Sequence, residues 1–246
     1  MDGRGAAEGS TGGATETSGL ASDGLDLSDD GSMISTKYQF LFVHVPKTGG
    51  NSIQDALREH ADDELVCLAA HQDGVERFEV RNRKYDLVKH STLRDYKREL
   101  EPDFFARLYK FATLRNPWEV MVSFYFSPHA GRKEWDRATF AALVGETPVF
   151  RHYVNLEAEP GMLRKLTGRG YSTPLDHDLD FIIRYETLEA DFRRVCERVG
   201  LPAYDLPHRN KSSRAHYTSY YDEELVELVK RRFAEEIEWG GYRFGE

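Results

Sequence analysis

The chain is poor in cysteine, in long apolar runs and in clustered positive charge. Its two cysteines, Cys67 and Cys196, lie among apolar residues, so we interpret them as small buried hydrophobic side chains without a chemical role. The sequence contains no run of about 18 apolar residues, which a membrane span would require. Its first residues also lack the basic-then-apolar pattern of a secretory signal. We therefore expect a cytoplasmic protein. The sequence also lacks the basic stripe that would indicate a nucleic-acid partner.

Large apolar side chains are nearly missing from the first 36 residues. This segment is rich in Gly, Ser, Thr, Asp and Ala, and its seven acidic residues against Arg4 give it a net charge of −6. Such a segment cannot offset the conformational entropy lost on ordering, so we predict a disordered tail over residues 1–36. Residues 37–246 carry the remaining −3 of the total −9, and their number fits a single α/β domain.

A short basic turn follows the first strongly apolar segment. Residues 40–45 predict a buried strand, which Pro46 ends because it removes a ladder donor. Apolar residues at helical spacing beyond the turn predict a helix that begins near Asn51. The order strand, turn, helix places the positive end of the helix at the turn.

The turn has the residue types of an anion-binding loop. Gly49 and Gly50 permit positive φ and a close approach of backbone N–H groups to a ligand. The hydroxyls of Thr48 and Ser52 and the ammonium of Lys47 lie at the same turn. We therefore predict a phosphate- or sulfate-binding site. The nucleotide triphosphatase pattern G-x-x-x-x-G-K-[ST] is not matched, because Lys47 precedes both glycines.

A second strand-to-helix junction repeats this arrangement. Residues 109–114 predict a strand, Asn116 is a favourable N-cap, and Pro117 stands at the first helical position. Arg115 ends the strand, and Ser123 lies about two helical turns beyond the cap, roughly 10 Å along the axis. Both side chains can reach one phosphate from these positions.

The remaining patterns favour a parallel sheet with helices on its faces. Residues 85–89 and 181–184 predict two further strands, and apolar periodicity predicts helices over residues 188–199 and about 223–239. We predict an α/β fold with one domain.

Together, the two motifs resemble those of sulfotransferases that use 3′-phosphoadenosine-5′-phosphosulfate (PAPS). The segment PKTGGNS, residues 46–52, resembles the 5′-phosphosulfate loop of the carbohydrate-type enzymes, sulfotransferase family 2-like, which reads P-K-[TA]-[GA]-[GS]-[TN]-S. Arg115 and Ser123 match an arginine and a serine eight residues later that grip the 3′-phosphate in this family. The resemblance implies a P-loop-like sheet, PAPS as donor, no metal, and an acceptor hydroxyl on a carbohydrate or small molecule. It assigns the 5′-phosphate to Lys47, Thr48, Gly49, Gly50, Asn51 and Ser52.

Sulfation also requires a base for the acceptor hydroxyl. His90 follows the strand predicted over residues 85–89, and ligands bind outside the carboxyl ends of strands in open α/β sheets. Many members of the family carry a histidine or glutamate at the corresponding position. We therefore predict that His90 is the base, with a structural role as the alternative. The reserve candidates are Glu119, His71 and His129. Lys47 is expected to neutralise the leaving phosphate.

Two assignments stay open at this stage. Lys211 and Arg214 lie in a late basic segment, which the family often places over the 3′-phosphate and which is otherwise a solvated loop. Aromatic residues between positions 127 and 173 either line the acceptor site or belong to the core; they are Trp135, Phe150, Tyr153 and Tyr171. A P-loop nucleotide-dependent kinase and a catalytically inactive nucleotide-binding module are the alternative functions.

Overall fold

A four-stranded mixed sheet organises the fold. The computed structural model describes residues 33–70, 76–82, 84–157, 171–202, 206 and 215–246. In order across the sheet, the strands are β1 (Ile34–Ser35), β2 (Phe40–Val43), β5 (Tyr109–Leu114) and β6 (Phe181–Arg184). Between β2 and β5 in the chain, β3 (Glu64–Ala70) and β4 (Glu76–Arg81) pair with each other as a separate antiparallel sheet.

Helices connect and cover these strands. The described helices are α1 (Gly50–Leu57), α2 (Leu93–Glu99), α3 (Pro102–Arg107), α4 (Pro117–Tyr125), α5 (Arg137–Glu146), α6 (Phe150–Val154), α7 (Leu188–Val199), α8 (Glu223–Arg232) and α9 (Ala234–Gly240). None of them is long and apolar enough to cross a membrane. The predicted start of α4 is confirmed, because the Asn116 side chain accepts a hydrogen bond from the Trp118 N–H at 3.0 Å. The predicted bounds of α7 are confirmed as well, and Gly200 ends it with φ +76°.

Strand register brings the ends of three strands to one edge. β2 pairs parallel to β5 with Val43 opposite Ala112, and β5 pairs parallel to β6 with Leu114 opposite Arg184. The residues that follow β2, β5 and β6 therefore leave the sheet side by side. The predicted α/β class is confirmed, but the sheet is mixed rather than purely parallel, because β1 runs antiparallel to β2.

Apolar side chains pack on both faces of the sheet. Leu41 and Val43 contribute to the core under α2, α3 and α6, whereas Phe40 and Phe42 contribute to the core under α1 and α7. This alternation follows the two-residue period of a strand. A third cluster joins α4, α5 and α8.

The carboxyl end of the predicted tail belongs to the folded domain. Met33 and Ile34 are 1% and 0% exposed, and the Phe42 N–H donates to the Met33 carbonyl at 2.9 Å. The boundary predicted at residue 36 is therefore wrong, because a short apolar pair at the end of a polar segment completes the sheet edge.

Two other elements differ from the sequence-based expectation. Residues 85–89 are not a strand, since the Asn82 side chain accepts from the N–H groups of Lys84 and Tyr85 and bends the chain there. The single helix predicted over about residues 223–239 is divided into α8 and α9 at Phe233. At the first place a local hydrogen-bonded turn overrides the apolar pattern, and at the second the backbone of Phe233 leaves the helical conformation, with φ −114° and ψ 36°.

The first prediction concerns the new boundary. Ile34→Ala should lower the free energy of unfolding by about 2 to 5 kcal/mol, since it opens a cavity beneath the sheet edge. Chemical denaturation measures this difference. Deletion of residues 1–32, which are poor in large apolar side chains, is the control and should leave stability nearly unchanged. Equal stability of Ile34→Ala and the full chain would restore the boundary at residue 36.

Candidate functional site

The loop between β2 and α1 contains two left-handed residues. Lys47 has φ +64° and Gly49 has φ +92°, and Gly49 is the N-cap of α1. A positive φ is uncommon for a lysine. The amides of Thr48, Gly50 and Asn51 have no backbone acceptor among the described residues. Together with the N-terminus of α1, these N–H groups form a concave surface suited to an oxyanion.

Thr48 fastens this loop to the sheet. Its hydroxyl donates to the Val45 carbonyl at 2.7 Å and lies 2.5 Å from the Thr113 hydroxyl of β5. A hydroxyl has one proton, so Thr113 is the donor in the second bond. The Thr48 side chain is thus buried and its hydroxyl is engaged within the fold, whereas its backbone N–H has no backbone acceptor among the described residues.

The two loop glycines make room for protein side chains. A Cβ on Gly49 would lie 2.8 Å from the Tyr185 ring, and a Cβ on Gly50 would lie 2.2 Å from the His44 ring. Real Cβ atoms do not approach other atoms so closely. Close packing against Tyr185 and His44 is therefore a second reason for glycine at these positions, beside the positive φ of Gly49.

Lys47 reaches from the loop to the end of α4. Its Nζ lies 2.7 Å from the Oγ of Ser127, which is buried two residues beyond the helix. Ser127 is the site residue that sequence reasoning missed. No motif marks it, because its partner is 80 residues away in the chain.

Arg115 stands at the carboxyl end of β5, as predicted. Its Nε donates to Glu119 at 2.9 Å, and its guanidinium carbon lies 4.0 Å from the centre of the Tyr185 ring. One Nη is 3.5 Å from the Lys47 carbonyl, so Arg115 lies directly beside the loop. Glu119, a reserve candidate for the base, is the ion-pair partner of Arg115. Ser123 is half-buried on α4.

The remaining loop residues lie in the first turn of α1. Asn51 is exposed and Ser52 is 6% exposed. The Ser52 N–H donates to the Gly49 carbonyl at 3.2 Å. The first turn of α1 is therefore closed at Ser52, while Asn51 faces outward.

His90 is oriented by a backbone carbonyl. Its Nδ1 lies 2.9 Å from the His44 oxygen, and the two imidazole rings meet edge to face with centres 4.9 Å apart. A carbonyl only accepts hydrogen bonds, so Nδ1 carries the proton and Nε2 carries the lone pair in the neutral ring. This arrangement fits a base that acts through Nε2.

His44 itself is buried and uncharged. Burial lowers the pKa of His44 well below its usual range, and the charges of His90, Lys89 and Lys47 lower it further. Its Nδ1 has no hydrogen-bond partner among the described residues. Its position between Phe42, His90 and Gly50 is that of a core residue.

A narrow cavity of about 30 Å³ lies on one side of the loop. Its lining includes Pro46 and Thr48 of the loop, Arg115 and Val120 at the start of α4, and Glu236. Almost all other lining side chains are apolar. The only charged groups at this cavity, among the residues described, are therefore Arg115 and Glu236.

Several other residues predicted for the site are not among those described above. His71, Lys211 and Arg214 lie outside the described residues, and His129 belongs to a short 3₁₀ turn after α4. The four aromatic residues do not form one wall. Trp135 packs in the third cluster, Phe150 and Tyr153 belong to the first, and Tyr171 lies under the Arg151 guanidinium at 4.2 Å.

No group of three or more His, Cys, Asp or Glu side chains within the described part of the chain is arranged to hold a metal ion. The charged groups that converge on the loop are instead Lys47, Arg115 and the positive end of α1.

Comparison with known proteins identifies one family. The model described as "Sulfotransferase family" matches residues 30–243, which is most of the chain and includes β1. Comparisons with curated proteins and with solved structures gave no match.

The second prediction uses the uncharged state of His44. Because its pKa is lower in the folded chain, the unfolded chain takes up the proton first as the pH falls below about 6.5. Stability should therefore fall with decreasing pH, by up to about 1.4 kcal/mol per pH unit from this group. Denaturation curves between pH 5 and 8 measure the slope.

His44→Gln should make that slope shallower, whereas His216→Gln, at an exposed histidine, should leave it as in the original chain. An identical slope in His44→Gln would show that His44 is not responsible.

Proposed function

Since the chain belongs to the sulfotransferase family, we propose that it transfers a sulfuryl group from PAPS to an acceptor hydroxyl. Family membership supports sulfuryl transfer in general. The observation that supports this donor is the arrangement around Lys47: an oxyanion-sized turn of amides after β2 lies beside an arginine at the end of β5. The ends of β2 and β5 lie side by side, and each presents positively charged groups. A molecule with two separate phosphate groups fits this pair of sites.

The turn would bind the 5′-phosphosulfate end of the donor. The amides of Thr48, Gly50 and Asn51 donate to its oxygens, and the Lys47 ammonium lies over the bridge between phosphorus and sulfur. Arg115 and Ser123 would hold the 3′-phosphate. Arg115 then exchanges or shares its bond to Glu119, while the Tyr185 ring keeps the guanidinium plane in place.

The transfer is a displacement at sulfur. His90 Nε2 accepts the proton of the acceptor hydroxyl while the hydroxyl oxygen forms a bond to sulfur. The bond from sulfur to the phosphate oxygen breaks, and its electron pair stays on that oxygen, where Lys47 neutralises the charge. The products are the sulfated acceptor, adenosine 3′,5′-bisphosphate and a proton on His90, which then passes to water.

The acceptor is a hydroxyl-bearing carbohydrate or small molecule. It approaches from the side of the loop on which His90 lies, since the base must reach its proton at about 3 Å. The His90 ring packs edge to face against His44, so the acceptor hydroxyl approaches the loop at this pair of imidazole rings.

The third prediction tests the 3′-phosphate site. Arg115→Ala should weaken binding of adenosine 3′,5′-bisphosphate by about 1.5 to 3 kcal/mol, because a charge-assisted contact is lost. Binding of adenosine 5′-monophosphate, which lacks the 3′-phosphate, should barely change. Isothermal titration calorimetry compares the two ligands.

Two further variants separate local from general effects. Glu119→Gln should preserve or tighten binding of the bisphosphate, since it removes the carboxylate that competes for Arg115. Arg98→Ala, at a side chain that is 64% exposed, should change neither ligand. Equal losses for both nucleotides in Arg115→Ala would contradict the assignment, and stronger binding of ATP with magnesium would favour a kinase.

The fourth prediction separates base from donor contact. His90→Ala should reduce turnover by about 10² to 10⁴-fold with donor affinity nearly intact, because general-base catalysis supplies that factor. Lys47→Ala should reduce turnover and also weaken donor binding. Turnover is measured with sulfur-labelled donor and the acceptor that a screen of hydroxyl compounds identifies, and calorimetry measures donor affinity.

His216→Ala is the histidine control, since His216 lies on the exposed turn before a 3₁₀ helix. It should retain full turnover. Near-normal turnover of His90→Ala would assign the base to another residue, and His71 would be the next candidate.

A further inference from the structure

Glu236 is a buried carboxyl that the proposed reaction does not use. It lies on α9, and its side chain is 3% exposed. One oxygen accepts a hydrogen bond from the Phe150 N–H at 2.7 Å. The residue also lines the narrow cavity beside the loop. Among the described residues, Glu236 is thus one of the two charged residues that line a mostly apolar cavity; the other, Arg115, is paired with Glu119.

The charges around Glu236 leave it without an ion-pair partner among the described residues. Glu235 pairs with Arg151 at 2.6 Å, Arg115 pairs with Glu119 at 2.9 Å, and Arg232 donates to the Thr147 carbonyl at 3.1 Å. Burial raises the pKa of Glu236 to about 7. Hydrogen bonds from its own backbone N–H and from that of Phe150 oppose this rise, as does the charge of Arg232, while Glu235 adds to it.

A hydrogen bond to Phe150 does not require a carboxylate. Glutamine offers the same carbonyl acceptor without the cost of burying a charge. An ionisable group at this position destabilises the fold near neutral pH, because its pKa is higher than in the unfolded chain. A cationic ligand would supply the opposite charge that a buried carboxylate normally has.

The cavity lies next to the proposed point of transfer. Pro46 and Thr48, which line it, are the two neighbours of Lys47 in the loop. Phe150 and Tyr153 line it from α6. An acceptor whose hydroxyl approaches the donor beside Lys47 can therefore place another part of itself in this cavity.

We propose that this cavity binds a short arm of the acceptor that ends in a primary ammonium group, and that Glu236 is its counter-charge. A volume of about 30 Å³ exceeds the space that one water molecule requires, so an ammoniomethyl group fits. The acceptor class is a compound with a hydroxyl and a primary amine on a short unbranched arm. This inference rests on the proposed function.

The test compares two probes that differ only in the terminal group: 3-aminopropan-1-ol and propane-1,3-diol. Calorimetry measures their binding to the full chain at pH 8, with and without adenosine 3′,5′-bisphosphate. The amine should bind about tenfold or more tightly than the diol, as expected for a charge-assisted bond in a buried site. Glu236→Gln should abolish this preference and keep its affinity for the bisphosphate.

Glu235→Gln is the matched control, since this neighbouring carboxylate pairs with Arg151 outside the cavity; it should keep the preference for the amine. Phe124→Trp fills the cavity without changing Glu236 and should weaken binding of the amine as Glu236→Gln does. This variant tests the inference if Glu236→Gln does not fold. Equal binding of both probes, or a preference that survives both cavity variants, overturns the inference. Failure of the bisphosphate to bind, with the amine preference intact, would instead overturn the proposed function.

Discussion

Parallel pairing of β2 with β5 determines the geometry of the whole site. Because Val43 stands opposite Ala112, the loop that follows β2 and the arginine that follows β5 leave the sheet at the same level. The hydroxyl contact between Thr48 and Thr113 then fixes the loop to the neighbouring strand. A shift of one residue in this register would separate Lys47 from Arg115 and turn the apolar side chains of β2 to the opposite face.

Uncharged rings support the ionisable groups beside the loop. Tyr185, against Gly49, supports the Arg115 guanidinium, and the neutral His44 ring, against Gly50, supports His90. Keeping His44 uncharged avoids a further positive charge next to Lys47. Aromatic packing in this way orients the ionisable groups without competing for a charged ligand.

Local signals in the sequence predicted the two strand-to-helix junctions well. Gly49, Asn116 and Pro117 each have one dominant physical reason for their position, and such residues can be recognised in isolation. The parts that could not be predicted depend on distant partners. Ile34 is a strand residue only because β2 is beside it, Ser127 becomes a site residue only through Lys47, and Glu236 reaches the loop from the end of the chain.

The contact between Lys47 and Ser127 affects the entropy of ligand binding. A free lysine side chain loses up to about 2 kcal/mol of rotational freedom when a ligand immobilises it. Here the ammonium is already held at 2.7 Å by a buried hydroxyl, so much of that loss occurs during folding. When an anion binds, the Lys47 ammonium exchanges the Ser127 oxygen for an oxygen of the ligand. Less of the electrostatic attraction is then offset by lost side-chain entropy, so the ligand binds more tightly.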